Sequence, residues 1–251
     1  MSHSHSHHHR EHHGHHGHDF AASNRAHFNA HAETYDEFPG AKEVTKKIGE
    51  AILQTIPFDK ESTTVLDFAC GTGLVSSVLV PQSKFLLGVD ISEAMIVQFT
   101  KRFAAQGLSA DKVKGMAKEL KGEPGELDGM KFDIVTCSAA YHHFDPSKLQ
   151  NITNTLASFL KPGGYLFIFD FEPTEESMFE AHNSSDAVKD GAVGTLKGFS
   201  ESVMRSLYEG SGLTESFEYS HITTFGMRGA DLDIFMCKAR KPVDSMTPSG
   251  L

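Results

Sequence analysis

The chain has 251 residues, a formal net charge of −10, and 39% hydrophobic and 22% charged residues. These values fit one soluble globular domain with a sizeable core, and the acidic balance disfavours nucleic acid, whose phosphate backbone is negative. No apolar run reaches the roughly 18 residues that insert across a membrane, and the N-terminus lacks the apolar core of a signal peptide.

The first eighteen residues differ from the rest, because they hold ten of the sixteen histidines and little that can form a core. One interpretation of residues 1–19 is a purification tag or a natural disordered tail. The other is a metal-binding tail, since closely spaced imidazoles chelate Zn, Ni or Cu. Both can hold at once, and we leave the segment out of the fold.

From residue 20 onward the apolar pattern predicts regular structure. A first helix is expected at about 25–38, and apolar residues four apart in 41–56 form the stripe of a second. The elements that follow in this half are strand 63–68, helix 74–80, strand 85–89, a helix capped by Ser92 and ending at Ala104, and a weak strand near Val113.

The second half continues the alternation and then loosens. Its predicted elements are strand 132–137, helix 146–160, strand 165–169, helix 200–208 and strands 216–225 and 232–238. Residues 171–199 are polar and glycine-rich, and we expect them to cover a site. The short link between the last two strands fits an antiparallel hairpin.

Strands that alternate with helices predict an α/β fold, with a mostly parallel sheet and helices on both faces. We assign residues 20–241 to this domain and 242–251 to a flexible tail. Three widely spaced cysteines, Cys70, Cys137 and Cys237, indicate reduced thiols and a cytoplasmic protein.

The segment from Val65 to Gly73, VLDFACGTG, contains the residues that predict a ligand-binding turn. Gly71 and Gly73 lack Cβ atoms where a strand turns into a helix, so a ligand can approach the backbone. The third glycine of a dinucleotide-binding GxGxxG turn is missing. Asp67 precedes the turn, where a carboxylate repels a pyrophosphate but suits the ammonium group of S-adenosylmethionine.

A second acid, Asp90, ends the next predicted strand. A carboxylate at this point can accept both hydroxyls of a ribose. Dinucleotides and S-adenosylmethionine share that contact. Asp90 therefore indicates a ribose, and Asp67 distinguishes between the two cofactors.

Residues 64–73 and 86–91 resemble the first two motifs of the class I S-adenosylmethionine-dependent methyltransferases. The resemblance continues in three segments: FDIVTCSAAYHHF (132–144), LKPGGYLFIFD (160–170) and GFSESVMRSLYEGSGL (198–213). It covers about residues 25–240 and is similar to the small-molecule branch, of the ubiquinone- and menaquinone-biosynthesis type. It implies a Rossmann-like seven-stranded sheet, mostly parallel, with the last strand antiparallel.

The resemblance also implies a set of residues that bind S-adenosyl-L-methionine: Tyr35, Asp67, Ala69, Gly71, Gly73, Asp90, Ile91, Met116, Ala117, Cys137 and Ser138. In this set Tyr35 closes over the cofactor, Ile91 lines one face of adenine, and Cys137 and Ser138 form the floor beneath the sulfonium. Met116 stands where many members have an acid near the adenine amino group, so backbone groups are expected to serve there.

His142 is the candidate catalytic residue, since a histidine beside the acceptor can take its proton. The alternative is a loop histidine that orders the backbone or stacks on the cofactor. Asp170 either touches the acceptor or caps its loop. His27 and His31 have metal-like spacing, but no third ligand is evident, so we expect packing or solvent and no metal in the domain.

The sequence therefore predicts methyl transfer to a small-molecule acceptor by in-line displacement, with the helix at 25–38 and residues 171–199 as a lid. One alternative is a non-catalytic or metal-associated S-adenosylmethionine-binding protein. Another is an NAD-dependent oxidoreductase, which needs the third glycine. The acceptor and the oligomeric state stay open.

Overall fold

A computed structural model describes residues 18–173, 193, 197–227 and 230–243. Its sheet has seven strands: β1 (Thr64–Phe68), β2 (Phe85–Asp90), β3 (Val113–Ala117), β4 (Phe132–Ser138), β5 (Leu160–Phe171), β6 (Glu215–Met227) and β7 (Ala230–Arg240). The helices in this part of the chain are α1 (Phe20–His31), α2 (Ala41–Thr55), α3 (Leu74–Leu79), α4 (Glu93–Ala104), α5 (Leu149–Ser158) and α6 (Glu201–Gly210).

The strand order is β3-β2-β1-β4-β5-β7-β6. Strands β1 to β5 pair in parallel, whereas β7 runs antiparallel to both β5 and β6. The predicted fold class is thus confirmed, including the antiparallel last strand. The strand order reverses at β1, which has β2 on one side and β4 on the other, and such a switch point creates a crevice at the carboxyl ends of the strands.

Two apolar clusters cover the two faces of the sheet. Val65 belongs to one of them, with α2, α3 and α4, and its neighbour Leu66 belongs to the other, with α5 and α6. Successive residues of a strand point to opposite faces, so both faces of β1 are buried. This burial fixes the register of β1 and therefore the position of the acid-bearing turn that follows it.

Three predicted boundaries differ from the structure. The N-terminal helix lies at Phe20–His31 instead of 25–38, and a separate 3₁₀ turn follows at Tyr35–Glu37. Asp19 explains the earlier start, because its side chain accepts a hydrogen bond from Ala22 N at 3.1 Å and caps the helix.

The other two differences lie on either side of α5. Pro146–Lys148 forms a 3₁₀ turn, and the α-helix begins only at Leu149. Strand β5 extends well beyond 165–169, since Leu160 pairs with Phe132 of β4 and Phe171 pairs with Ile234 of β7. Pairing with two neighbours holds the ends that the local sequence did not predict as strand.

Most of the predicted cover at 171–199, nearly all of the His-rich tail and the last eight residues lie outside the described residues. Among the helices that are described, none is long and apolar enough to cross a membrane.

Candidate active site

The turn after β1 brings the backbone to the edge of the crevice. Ala69 and Gly71 adopt left-handed conformations, with φ of 56° and 54°. A Cβ atom on Gly71 would meet only Tyr35 Cε1, at 4.0 Å. The space above Gly71 is therefore open to a ligand, and a side chain there would enter it.

Gly73 lies close to helix α4. A Cβ atom on Gly73 would lie 2.8 Å from Phe99 and 3.0 Å from Phe103, both on α4. The absence of a side chain lets the turn lie close to α4, and the contact of Gly73 with the cofactor stays a prediction.

Asp67 is 1% exposed at the edge of the crevice. Its Oδ2 accepts a hydrogen bond from Ser76 Oγ at 2.5 Å, whereas no described residue donates to Oδ1. Burial raises the pKa of Asp67 to about 7, against the lowering effect of the Ser76 hydrogen bond and with a further increase from the charge of Asp90. A buried carboxylate with an unpaired oxygen is a binding position for a cation.

Asp90 ends β2 and is 8% exposed. Its two oxygens accept backbone hydrogen bonds from Gly71 N at 2.9 Å and Ser92 N at 2.8 Å. Burial raises the pKa of Asp90, although these backbone donors oppose the increase. Asp90 thus fixes the glycine turn, and each carboxylate oxygen keeps capacity for a further donor.

Two adjoining cavities open at this edge of the sheet. Cavity 1 has a volume of about 380 Å³ and contains Asp90 and Ile91 in its wall, and cavity 2 has about 480 Å³ and contains Asp67 and His142. Their shared wall consists of Phe28, Tyr35, Ala69, Gly71, Ser138, Ala139 and His143. Together they offer a continuous space of the size typical for small ligands.

Helix α1 lies across this space and is held at several points. Asn29 Oδ1 accepts hydrogen bonds from Ser92 Oγ at 2.7 Å and Ala94 N at 3.1 Å, and Asn24 Nδ2 donates to His143 O at 2.9 Å. The α1 helix therefore joins the N-terminus of α4 to the loop after β4, and the cavities lie beneath it.

A second attachment holds the 3₁₀ turn that carries Tyr35. Asp36 accepts hydrogen bonds from Thr72 Oγ1 at 2.5 Å and from the Arg102 guanidinium, and Arg102 Nε also donates to Thr72 O at 2.7 Å. This three-residue cluster keeps Tyr35 over Gly71. Tyr35 remains 36% exposed, which places it at the rim of the cavities.

His142 and Asp170 form a buried pair in the wall of cavity 2. His142 Nδ1 lies 2.9 Å from Asp170 Oδ1, and Asp170 also accepts from His142 N at 3.2 Å and Phe171 N at 2.8 Å. Because a carboxylate can only accept, Nδ1 is the nitrogen that carries a proton in this pair, and Nε2 is the nitrogen that can act as a proton acceptor.

The structure brings most of the predicted residues to one place. Tyr35, Ala69, Gly71, Asp90, Ile91 and Ser138 line cavity 1, and Asp67 and His142 join that group through cavity 2. Gly73, Met116, Ala117 and Cys137 line neither cavity, and Cys137 is fully buried in the core. Within the described residues no group of three or more metal-ligating side chains is assembled.

Several lining residues were missed by sequence reasoning. Asn24 and Phe28 stand one turn apart on α1, and Ala139 follows β4. The adjacent motif residues gave a signal for Ala139, since it lies in the segment around His142. Nothing in the local pattern pointed to Asn24, because its contact with His143 spans 119 residues.

Comparisons with known proteins agree with this geometry. Residues 65–164 match a family described as "Methyltransferase domain". An uncharacterized methyltransferase of Schizosaccharomyces pombe is 31% identical over 160 residues, which are 62% of this chain and 55% of that protein. A ubiquinone biosynthesis O-methyltransferase of Coxiella burnetii is 35% identical over 104 residues, 41% of each chain. The chain therefore spans about half the length of the curated relatives it matches.

Among solved structures, the 1,6-didemethyltoxoflavin-N1-methyltransferase of Burkholderia thailandensis has the same fold, with a TM-score of 0.64 and 17% identity over 89% of each chain. That structure contains 1,6-didemethyltoxoflavin and S-adenosylhomocysteine.

The fold and the acid-bearing glycine turn define an α/β protein. Its crevice is of the type that binds nucleoside cofactors. Residues 65–164 are similar to methyltransferase domains, and this similarity agrees with the resemblance to class I S-adenosylmethionine-dependent methyltransferases that the sequence motifs indicate.

Proposed function

We propose that this chain binds S-adenosylmethionine across the two cavities and transfers its methyl group to a small organic acceptor in cavity 2. One observation carries the proposal: the buried Oδ1 of Asp67 has no described donor, and Asp67 lines a cavity beside an open glycine turn. The ammonium group of the cofactor supplies that donor and favours the ionised carboxylate.

The chain's own residues fit the rest of the cofactor. Asp90 is positioned to accept the ribose hydroxyls in cavity 1, and Ile91 offers an apolar wall to the base. Two buried carboxylates, Asp67 and Asp90, flank the glycine turn. Because both would repel a pyrophosphate, this arrangement supports S-adenosylmethionine over a dinucleotide.

A small acceptor is supported by the shape and lining of cavity 2. Its volume of about 480 Å³ lies within the range of small-molecule pockets. Apolar side chains dominate one side, among them Phe38, Phe225 and Ile234, and the His142–Asp170 pair supplies the polar group. The similar proteins, which include a ubiquinone biosynthesis O-methyltransferase, agree with such a substrate.

When bound, the cofactor supplies a methyl group on a positively charged sulfur, which the acceptor takes by in-line displacement, leaving neutral S-adenosylhomocysteine. The protein holds the two reactants in line and excludes water, which lowers the barrier by up to about 7–11 kcal/mol in favourable cases. His142 takes the proton of a hydroxyl or similar acceptor on Nε2 while Asp170 holds the ring in place. The cytoplasmic location and the absence of nucleic acid partners stay predictions.

Calorimetry with S-adenosylhomocysteine and NAD⁺ tests cofactor choice. We expect S-adenosylhomocysteine to bind the full chain, to bind Asp67→Asn at least about tenfold more weakly, and to bind the exposed-site control Asp111→Asn unchanged. Binding of NAD⁺ that improves in Asp67→Asn would support the oxidoreductase and contradict the proposal.

Catalysis needs a separate measurement. Methyl-labelled S-adenosylmethionine, incubated with a cell extract with and without the protein, is expected to label one compound of low mass, which mass spectrometry identifies. Tight cofactor binding without label transfer to any small molecule would favour a non-catalytic binding protein.

A further inference from the structure

One buried polar atom in cavity 1 has no assigned role. Asn24 on α1 is 6% exposed, and its Nδ2 donates to His143 O at 2.9 Å. No described residue donates to Asn24 Oδ1. Since the backbone carbonyl of His143 can only accept, it fixes the amide nitrogen on its own side and leaves Oδ1 as an acceptor in the wall of the cavity.

Unpaired buried acceptors are rare in folded proteins and point to a missing partner. In the described part of the chain only two buried side-chain atoms lack a partner, Asn24 Oδ1 and Asp67 Oδ1. Asn24 lines cavity 1 and Asp67 lines the adjoining cavity 2. This distribution indicates that one ligand satisfies both, with a donor at each end.

The position of Asn24 along α1 selects the donor. Phe28 stands in the shared wall of the cavities, with its ring 6.1 Å from that of Tyr35. Asn24 lies one helical turn, about 6 Å, farther from the glycine turn, and the adjacent Arg25 reaches Ile91 O at 3.4 Å, beyond Asp90. Asn24 lies in the wall of cavity 1, which also contains Asp90 and Ile91, and does not line cavity 2, which contains Asp67.

We infer that Asn24 Oδ1 accepts a hydrogen bond from the exocyclic amino group of adenine, an inference that rests on the proposed function. Adenosine carries three donor groups, the two ribose hydroxyls and the amino group, and the remaining polar atoms of the base are acceptors. With the hydroxyls at Asp90, the amino group is the donor left for Asn24. Through this contact, α1 recognises the adenine base in addition to covering the cavities.

A double-mutant cycle tests this contact on the full chain. Calorimetry compares S-adenosylhomocysteine with its analogue in which hydrogen replaces the adenine amino group, each with wild type and Asn24→Ala. We expect wild type to bind the analogue about tenfold more weakly and Asn24→Ala to bind both ligands within about twofold of each other.

Asn29→Ala is the matched control, because Asn29 also anchors α1 but lines neither cavity. This variant is expected to keep the tenfold preference, whatever its absolute affinity. Equal preference in wild type and Asn24→Ala would overturn the inference and leave the proposed cofactor intact. Coupling of Asn24 to a 2′-deoxy analogue instead would also overturn it, whereas no binding of S-adenosylhomocysteine to wild type would remove the proposed function itself.

Discussion

Gly71 N donates a hydrogen bond to Asp90 Oδ2 at 2.9 Å, which ties the turn after β1 to the acid that ends β2. The same carboxylate accepts from Ser92 N, at the cap of α4. One side chain therefore fixes two loops around cavity 1 before any ligand is present. A cofactor whose hydroxyls donate hydrogen bonds to this carboxylate therefore meets a preorganised group.

Asp90→Ala removes both the loop contacts and the proposed ribose contact. We expect the affinity for S-adenosylhomocysteine to fall at least about 100-fold, while the chain stays folded, because the apolar clusters on the two faces of the sheet are unchanged. Calorimetry measures affinity and circular dichroism checks the fold. Affinity within tenfold of wild type would contradict the assignment of Asp90.

The two glycines of the turn are expected to respond differently to alanine. Gly71→Ala places a methyl group in the open cavity, so ligand affinity falls more than stability does. Gly73→Ala places one against Phe99 and lowers the free energy of unfolding by about 1–3 kcal/mol.

Gly107→Ala controls for backbone strain, because Gly107 has φ of 72° and open space around its Cβ position. Thermal unfolding and calorimetry on all three variants separate the effects. A loss of ligand affinity in Gly107→Ala as large as in Gly71→Ala would show that strain, and not cavity space, is responsible.

The raised pKa of Asp67 predicts a pH dependence. Between the ordinary value of 3.8 and the folded value of about 7, the folded chain holds a proton that the unfolded chain has released. The stabilisation from this proton is complete below about pH 4 and is lost as pH rises through about 7, at up to about 1.4 kcal/mol per pH unit. Asp67→Asn should lack this contribution in denaturant titrations across that range.

Ligand binding should show the opposite trend with pH, because a cationic ammonium group binds the ionised carboxylate. Affinity for S-adenosylhomocysteine is expected to rise about tenfold from pH 6 to pH 8 in wild type, and much less in Asp67→Asn. A flat profile in wild type would argue against an ammonium contact at Asp67.

The Asp36 cluster predicts control of ligand release. Asp36→Ala frees the turn that carries Tyr35, since it removes the contacts with Thr72 and Arg102. We expect S-adenosylhomocysteine to dissociate about five- to tenfold faster with little change in association, which surface plasmon resonance can measure. Glu33→Ala, an exposed acid just before this turn, is the control. Unchanged dissociation in Asp36→Ala would show that Tyr35 does not retain the ligand.

The His142–Asp170 pair predicts a loss of turnover without a loss of cofactor affinity. Once an acceptor is identified, His142→Gln is expected to lower kcat about 100-fold or more. Asp170→Asn should act in the same direction, because an amide no longer fixes the Nδ1–H tautomer. His221→Gln is the control, because His221 pairs with another acid, Glu172, at 2.9 Å. This pair lies outside both cavities. Full turnover in His142→Gln would exclude a proton-transfer role.

Local sequence patterns predicted the sheet and its turn because their signals are short-range. The apolar, β-branched run of β1, the Ser92 cap and the two strand-end acids each depend on a few neighbouring residues. Parallel pairing then brings Asp67 and Asp90 to one edge, since β1 and β2 are adjacent. The amino-acid sequence by itself thus determined the fold class and the acids at the crevice.

Only the tertiary structure decided how the crevice is enclosed. Asn24 meets His143 across 119 residues, and His142 meets Asp170 across 28. The close approach of Gly73 to Phe99 and Phe103 of α4 also depends on how that helix docks. Such contacts follow from how whole helices dock on the sheet, and this docking depends on complementary side-chain packing that no local periodicity records.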